Sequence, residues 1–211
     1  MTDLQKPVLI VVAGPNGAGE TSLTEKIILH RWMDGCTYIN PDLIARDMFG
    51  DWNSADAVSK AVQKAQAMRE ETLERRESMA FETVFSAANK IDFLLRARNA
   101  GYFLRLFFIS TTHPSINAAR VAQRVMEGGH SVPIPKIINR YAKSIANCAA
   151  AATFVDRAYI YDNSVDGREP LLLFRTICGS IARQYHLVTS WAQTIADELR
   201  TKESTESISP E

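Results

Sequence analysis

The feature that most constrains this chain is a glycine-rich turn that joins an apolar run to a helical pattern. The apolar run covers residues 8–13, and the segment that follows reads Gly14-Pro15-Asn16-Gly17-Ala18-Gly19-Glu20-Thr21-Ser22. A strand, a glycine-rich turn and a helix in this order are the context of a phosphate-binding P-loop. Its backbone N–H groups can face phosphate oxygens beside the positive end of the helix. We therefore predict that residues 14–22 bind nucleotide phosphates, with an ordinary β-to-α connection as the alternative.

Glu20 departs from the P-loop pattern, which has lysine after its last glycine. Two unit charges about 4 Å apart interact by about 4 kcal/mol at an effective dielectric near 20, so the reversed charge removes several kcal/mol of nucleotide affinity. The fold tolerates the change because a carboxylate at a helix N-terminus is favourable by about 0.3–1 kcal/mol. We hypothesise that Glu20 folds into the turn and occupies the anion nest. Thr21 supplies the hydroxyl that such loops present to Mg2+.

Composition excludes several classes of partner. Lysine plus arginine equals aspartate plus glutamate, 24 each, so no global field indicates nucleic-acid or acidic-membrane binding. The N-terminal apolar run is too short for a signal peptide or a membrane span. Three widely spaced cysteines, Cys36, Cys148 and Cys178, favour reduced, buried or half-buried thiols in a cytoplasmic protein. We expect one domain over residues 1–200 and a disordered Ser-, Glu- and Thr-rich tail over 201–211.

Strand patterns alternate with helical patterns along the chain. Strands are predicted at 7–13, 36–40, 79–85, 102–109, 157–162 and 171–175, and helices at 20–32, 41–48, 55–78, 88–99, 114–126, 134–152 and 181–200. This alternation predicts an α/β fold with a parallel sheet and helices on both faces. Such sheets bind ligands beyond the carboxyl ends of their strands. The glycine-rich turn, Asp42, Glu82 with Thr83, and residues 111–114 should therefore share one rim.

Two carboxylates on this rim are candidates for chemistry. Asp42 could accept a proton from a substrate hydroxyl, or it could be a cap or turn residue beside Pro41. Glu82 interrupts an apolar strand and could bind a polar substrate, or it could form a salt bridge at the strand end. Asp162 resembles a magnesium-handling aspartate, but Asn163 and Ser164 after it favour a turn.

A basic group flanks a second glycine-containing turn. Its members are Arg120, Arg124, Lys136 and Arg140, on either side of Gly128-Gly129-His130. The spacing suits a mobile cover that brings cations onto a transferred phosphate, and a solvated basic helix face is the alternative. We interpret His130 as a turn residue.

Five segments together resemble the zeta toxin family. They are residues 14–22, Ile39-Asn-Pro-Asp42, Phe81-Glu-Thr83, Arg124 with Gly128-Gly-His-Ser-Val-Pro133 and Ile138-Asn-Arg-Tyr141, and Tyr161-Asp-Asn-Ser164. The resemblance spans roughly residues 7–165. It implies a P-loop NTPase-type fold with a helical lid at about 114–150. It also implies a kinase that uses ATP and Mg2+ to phosphorylate the 3′-hydroxyl of the sugar in UDP-N-acetylglucosamine.

The resemblance also implies roles for single residues. Asp42 would be the base, Arg124 and Arg140 would grip the γ-phosphate, and Thr21 would ligate magnesium. Asn40, Glu82 and Thr83 would bind the sugar nucleotide. Because Glu20 replaces the lysine that bridges the β- and γ-phosphates, catalysis is expected to be impaired.

Two readings of the chain stay open at this point. One is an impaired kinase, and the other is a non-catalytic pseudokinase that binds a sugar nucleotide or a protein. An antitoxin partner is compatible with both. An ABC-type ATPase is disfavoured because no Leu-Ser-Gly-Gly-Gln signature is present.

Overall fold

A central sheet organises the part of the chain that the computed structural model describes, residues 6–49, 54–127 and 132–206. Its strands are β1 Val8–Gly14, β2 Thr37–Tyr38, β3 Met79–Val84, β4 Phe103–Ser110, β5 Arg157–Asp162, β6 Leu171–Ile177 and β7 Ser180–Gln184. The α-helices are α1 Glu20–Ile28, α2 Pro41–Met48, α3 Ala55–Arg75, α4 Ala88–Asn99, α5 Pro114–Met126, α6 Ile134–Ala152 and α7 Ser190–Glu206, and a 3-10 helix covers Arg31–Met33.

The strand order places β1 between β3 and β4. The sheet runs β2-β3-β1-β4-β5-β6-β7, with parallel pairing from β2 to β5 and antiparallel pairing for β5-β6 and β6-β7. Residues 9–13 of β1 are at most 3% exposed, as expected for a central strand buried on both faces. The prediction of an α/β, P-loop NTPase-type sheet is confirmed, with the last two strands antiparallel.

Helices cover both faces of the sheet, as predicted. On one face a large core contains Phe85, Phe108 and Phe174 together with apolar residues of α3, α4, α6 and α7. On the other face, Ile10, Val12, Phe107 and Tyr159 pack with Leu23 and Ile27 of α1, and Trp32 of the 3-10 helix joins them. The stacked rings of Phe107 and Tyr159, 4.7 Å apart, extend this second core.

The C-terminal part differs from the prediction. The segment predicted to begin a helix at 181 forms β7, which pairs with β6 across a turn at Cys178 and Gly179, both with positive φ. Helix α7 begins at Ser190 and continues to Glu206, so residues 201–206 are helical, contrary to the expected disordered tail. Its buried residues Trp191, Ile195 and Leu199 are spaced four apart, and this contact with the core extends the helix.

Smaller differences concern strand lengths and one cysteine. Strand β2 is limited to two residues, and Cys178 is exposed in its turn, whereas Cys148 is buried and Cys36 is half-buried. None of the described helices is long and apolar enough to cross a bilayer. Residues 50–53 between the helices predicted at 41–48 and 55–78, residues 128–131 with the predicted turn residue His130, and residues 207–211 of the predicted tail lie outside the described residues.

Candidate functional site

A polar cleft of about 200 Å³ opens where β1 and β3 end and where α1 and α2 begin. The residues that line it are Asn16, Gly17, Glu20, Thr21, Asn40, Pro41, Asp42, Glu82, Thr83, Val84 and Arg124. The structure therefore brings the glycine-rich turn, Asp42 and the Glu82-Thr83 pair to one rim, as predicted. Residues 111–114, also predicted to line the rim, are not among these lining residues. Thr111 is fully buried, and its hydroxyl donates to Asn117, which in turn binds the turn at Asn16.

The glycines of the turn are required by both conformation and space. Gly17 and Gly19 have φ values of 77° and 100°, which side-chain-bearing residues rarely adopt. A Cβ on Gly17 would lie 2.6 Å from the carbonyl oxygen of Asn117, and one on Gly19 would overlap the Asn163 amide. Neighbouring elements therefore pack directly against the backbone of the turn.

Three side chains from distant parts of the chain hold this backbone. Asn117 of α5 is buried and donates its Nδ2–H to the carbonyl oxygen of Asn16 at 2.8 Å, while its Oδ1 accepts from Thr111. Asn163 donates to the carbonyl oxygen of Ala18 at 2.8 Å. Arg140 of α6 donates from Nη1 to Asn16 Oδ1 at 3.0 Å. No sequence pattern indicated a role for Asn117, and Asn163 was predicted only as a turn residue.

The side chain of Glu20 bends back into the turn. Gly19, the N-cap of α1, provides no side-chain hydrogen bond to the helix. Glu20 Cγ would lie 3.2 Å from a Cβ placed on Gly14, at the end of β1. Burial, and then the charge of Glu82, raise the pKa of Glu20 to about 7, opposed by the backbone N–H groups of Glu20 and Gly19 and by Arg124. The carboxyl thus lies among the groups that would face a phosphate, as the hypothesis on Glu20 expects.

Glu82 is held by two hydroxyl groups. Tyr38 donates to its Oε1 at 2.5 Å, and Thr21 donates to its Oε2 at 3.2 Å. Asn40 donates from Nδ2 to the Tyr38 hydroxyl at 2.9 Å. Burial and the hydrogen bond to Glu82 raise the pKa of Tyr38. The alternative of a strand-end salt bridge is wrong for the described residues, since hydroxyls rather than cations bind this carboxylate. Sequence reasoning missed Tyr38, although it lies two residues before Asn40.

Asp42 lies in the first turn of α2, with its side chain exposed at the cleft. The helix cap is Asn40, whose Oδ1 accepts the N–H of Asp42 at 2.7 Å and that of Leu43 at 3.4 Å. Pro41 occupies the first helical position, where its missing N–H costs nothing. Because Asn40 caps the helix, the cap alternative for Asp42 is not supported, and its carboxylate is available to a ligand.

The predicted basic group divides into residues with different surroundings. Arg124 lines the cleft, and Arg140 binds the turn through Asn16. Arg120 instead pairs with Asp166, through Nε at 2.8 Å and Nη2 at 2.5 Å. Lys136 is exposed near the start of α6 and is not among the residues lining the cleft.

Asp162 has a structural environment rather than a place in the cleft. It is 7% exposed, and its Oδ2 accepts from Trp191 Nε1 at 2.8 Å. Its Oδ1 accepts the N–H of Ser164 at 3.0 Å, which is the turn that the sequence favours.

A wider cleft of about 640 Å³ adjoins the turn on the side of α5. Gly19, Glu20, Thr21 and Ser22 line it together with Arg120 and Arg124. The glycine-rich turn therefore borders two clefts, and Gly17, Glu20, Thr21 and Arg124 belong to both. This arrangement could hold one molecule in each cleft, with phosphates at the turn between them.

The residues at the turn fit a magnesium ion that is held mainly by phosphates. The hydroxyl of Thr21 and the carboxylate of Glu82 are hard oxygen donors, which Mg2+ prefers. The described residues contain no group of three or more His, Cys, Asp or Glu side chains able to hold a metal by themselves. Magnesium usually binds through one or two protein oxygens together with substrate phosphates.

Comparison with known proteins agrees with this geometry. Among solved structures, the AvrRxo1-ORF1:AvrRxo1-ORF2 complex with sulphate ions is similar, with a TM-score of 0.65 and 19% identity over 94% of this chain. The same complex with ATP has a TM-score of 0.64 and 18% identity. This chain spans 65% of the length of the matched chain in both structures. A structure of the PezAT toxin–antitoxin system of Streptococcus pneumoniae has a TM-score of 0.56 and 16% identity, and the match covers 96% of this chain and 87% of that chain.

These similarities show a shared fold. The comparison with curated proteins gives no match. The family model of the zeta toxins matches residues 1–167, which is well over half of the chain. This match shows that the chain belongs to the zeta toxin family.

Proposed function

We propose that this protein is a zeta-toxin-type kinase whose present form is impaired by Glu20. The reaction is transfer of the γ-phosphate of ATP to a hydroxyl of a UDP-amino sugar similar to UDP-N-acetylglucosamine. The observation that carries the proposal is that Asp42 and the glycine-rich turn share one cleft, with Thr21 and Arg124 in its lining. An anion site and a free carboxylate in one cleft are the two parts that phosphoryl transfer to a hydroxyl requires.

The proposal assigns roles to residues of the cleft and to Arg140, which contacts the cleft residue Asn16. The turn and the N-terminus of α1 position the phosphates, with Thr21 at the site of magnesium, which neutralises developing charge when bound. Asp42 accepts the proton of the acceptor hydroxyl while the oxygen of that hydroxyl forms a bond to the γ-phosphorus. The bond from that phosphorus to the bridging oxygen breaks, and ADP keeps the electron pair. Arg124 and Arg140 stabilise the charge on the transferred group.

In this proposal, substrate recognition belongs to Glu82 and the residues around it. Glu82, held by Tyr38 and Thr21, presents a carboxylate of fixed orientation to sugar hydroxyls. Asn40 and Thr83 lie beside it in the lining. Because Asn40 is engaged with both the helix N-terminus and Tyr38, its contribution is to hold the wall rather than to move with the ligand.

A pseudokinase is a second candidate, and the position of Glu20 favours it. The N–H groups of Gly19 and Glu20 act on the pKa of its carboxyl, so in this proposal the carboxyl competes with the phosphates of ATP for these groups. A chain whose anion nest holds its own carboxylate binds ATP poorly while keeping the acceptor side of the cleft. Such a protein would bind a sugar nucleotide or a protein such as an antitoxin without turnover.

The substitution Glu20→Lys separates the two candidates. For the kinase, it should tighten ATP binding by at least tenfold and give phosphorylated UDP-N-acetylglucosamine, measured by calorimetry and mass spectrometry. Glu25→Lys, an identical charge change on an exposed position of the same helix, should give neither effect. Adding Asp42→Asn to Glu20→Lys should abolish transfer and leave ATP affinity unchanged. ATP binding without transfer by Glu20→Lys, with the sugar nucleotide still bound, would favour the pseudokinase.

A further inference from the structure

A third pocket is lined by residues of β3, α3 and α4 and adjoins the cleft that contains Asp42. We call it the Arg69/Lys90 pocket, and the residues that line it are Val11, Gln66, Arg69, Phe81, Thr83, Phe85, Asn89, Lys90, Phe93 and Leu94. Thr83 lines both this pocket and the cleft that contains Asp42. The pocket is therefore adjacent to the acceptor side of the site rather than to the wider cleft near α5.

Two cations, Arg69 and Lys90, line this pocket, and both are half-buried. Burial lowers the pKa of Arg69, and it also lowers the pKa of Lys90, which the charge of Arg69 lowers further. Two positive charges that repel each other in a partly desolvated site cost free energy unless an anion accompanies them.

Among the described residues, Glu70 is the carboxylate whose charge opposes the effect of burial on the pKa of Arg69, and that pKa is still lowered. Glu70 forms a bidentate pair with Arg96 at 2.7 and 2.8 Å, so it is shared between two cations. No ion pair joins Arg69 or Lys90 to another described residue. The guanidinium of Arg69 lies 5.0 Å from the centre of the Phe81 ring, a cation–π contact that offsets part of this cost.

The size and lining of the pocket restrict its ligand. The free volume of about 40 Å³ exceeds the roughly 10–15 Å³ that a single water requires and suits a small anionic group. Gln66, Asn89 and Thr83 add neutral hydrogen-bonding groups to the two cations. Phe81 and Phe93, whose rings are 5.6 Å apart, form an apolar wall.

We propose that the Arg69/Lys90 pocket binds the anionic group, a phosphate or a carboxylate, of the molecule whose hydroxyl faces Asp42. This inference rests on the proposed kinase function, because it names the chemical class of the phosphate acceptor. The cations would anchor one end of the acceptor, and the shared wall at Thr83 would direct its hydroxyl toward the cleft. A neutral sugar alcohol would lack the anchor.

A binding experiment without turnover tests the pocket. The chain is titrated by calorimetry with uridine 5′-monophosphate, glycerate and uridine, which supply a phosphate, a carboxylate and no anion. We expect binding of at least one of the two anions, no binding of uridine, and an affinity at least tenfold lower in Lys90→Gln. Lys64→Gln, which removes an exposed positive charge from α3, should bind as the unchanged chain does.

Further variants separate this site from the glycine-rich turn. Lys90→Arg should retain binding, which controls for a folding defect in Lys90→Gln. NMR of the Lys90 side chain should show its pKa rising toward the ordinary value when the anion binds. Equal anion affinity in Lys90→Gln, or no binding of either anion at millimolar concentration, would overturn the inference. Both readouts are independent of phosphate transfer, so failure of the kinase assignment would be seen separately, in Glu20→Lys.

Discussion

The half-buried Glu20 makes a defined prediction for the pH dependence of stability. The pKa of this group rises from an ordinary value of 4.5 to about 7 in the folded chain, chiefly through burial. The folded state therefore holds the proton more tightly than the unfolded state. The stability that Glu20 contributes is complete below about pH 4.5 and is lost as the pH rises through about 7.

The magnitude follows from the two pKa values. A pKa difference of one corresponds to about 1.4 kcal/mol, so the full loss is about 3 kcal/mol. Because Glu20 keeps some exposure to water, screening reduces this to about 2–3 kcal/mol. Glu20→Gln keeps the shape of the side chain and removes its titration. The difference in free energy of unfolding between the two chains should change by that amount between about pH 4.5 and 8.

Urea unfolding followed by circular dichroism across this pH range measures the difference. Subtracting the variant from the unchanged chain cancels every other titrating group, provided the two fold alike. Glu25→Gln, at an exposed position of the same helix, should show a pH dependence parallel to that of the unchanged chain. If the free energy of unfolding of Glu20→Gln has the same pH dependence as that of the unchanged chain, the carboxyl is not desolvated in the turn. The reasoning that Glu20 occupies the anion nest is then refuted.

Three further substitutions test the contacts that shape the site. Asn117→Ala should lower the free energy of unfolding by about 2–3 kcal/mol in urea, because it leaves Asn16 without its buried donor; the exposed Asn89→Ala should cost far less. Tyr38→Phe, made in the Glu20→Lys form, should lower kcat/KM for the acceptor about tenfold with little change in the KM for ATP. The reason is that Glu82 loses one of its two hydroxyl partners. An unchanged kcat/KM would contradict the role of Glu82. Trp191→Phe should lower the free energy of unfolding by about 1–3 kcal/mol, because the buried Asp162 loses its indole donor. A loss equal to that of Tyr185→Phe, at an exposed position directly after β7, would contradict this.

Local patterns predicted most of the fold. Apolar runs gave the parallel strands, and the helices from α2 to α6 were placed within a few residues because their caps and periodicity are encoded nearby. The prediction failed at β7, whose sequence Ser-Ile-Ala-Arg-Gln has good helix formers. Its strand conformation depends on pairing with β6, which is a tertiary interaction that overrides propensity.

The site was predicted in part for a similar reason. The glycine-rich turn, Asp42 and Glu82 follow strands, and strand order alone brings their ends together. Tyr38 and Asn117 carry no local sign of their partners, which lie 44 and 101 residues away along the chain. Such contacts are visible only once the sheet and α5 are assembled.

The sequence by itself determined that the chain has a glycine-rich turn of P-loop type and that this turn carries a carboxylate in place of the usual lysine. These features depend on the conformational freedom of glycine and on charge, which belong to single residues. Only the tertiary structure decided where the Glu20 carboxyl lies, which hydroxyls hold Glu82, and that Arg69 and Lys90 share a pocket. Burial and the distances between charged groups set these properties, and both arise when remote segments pack together.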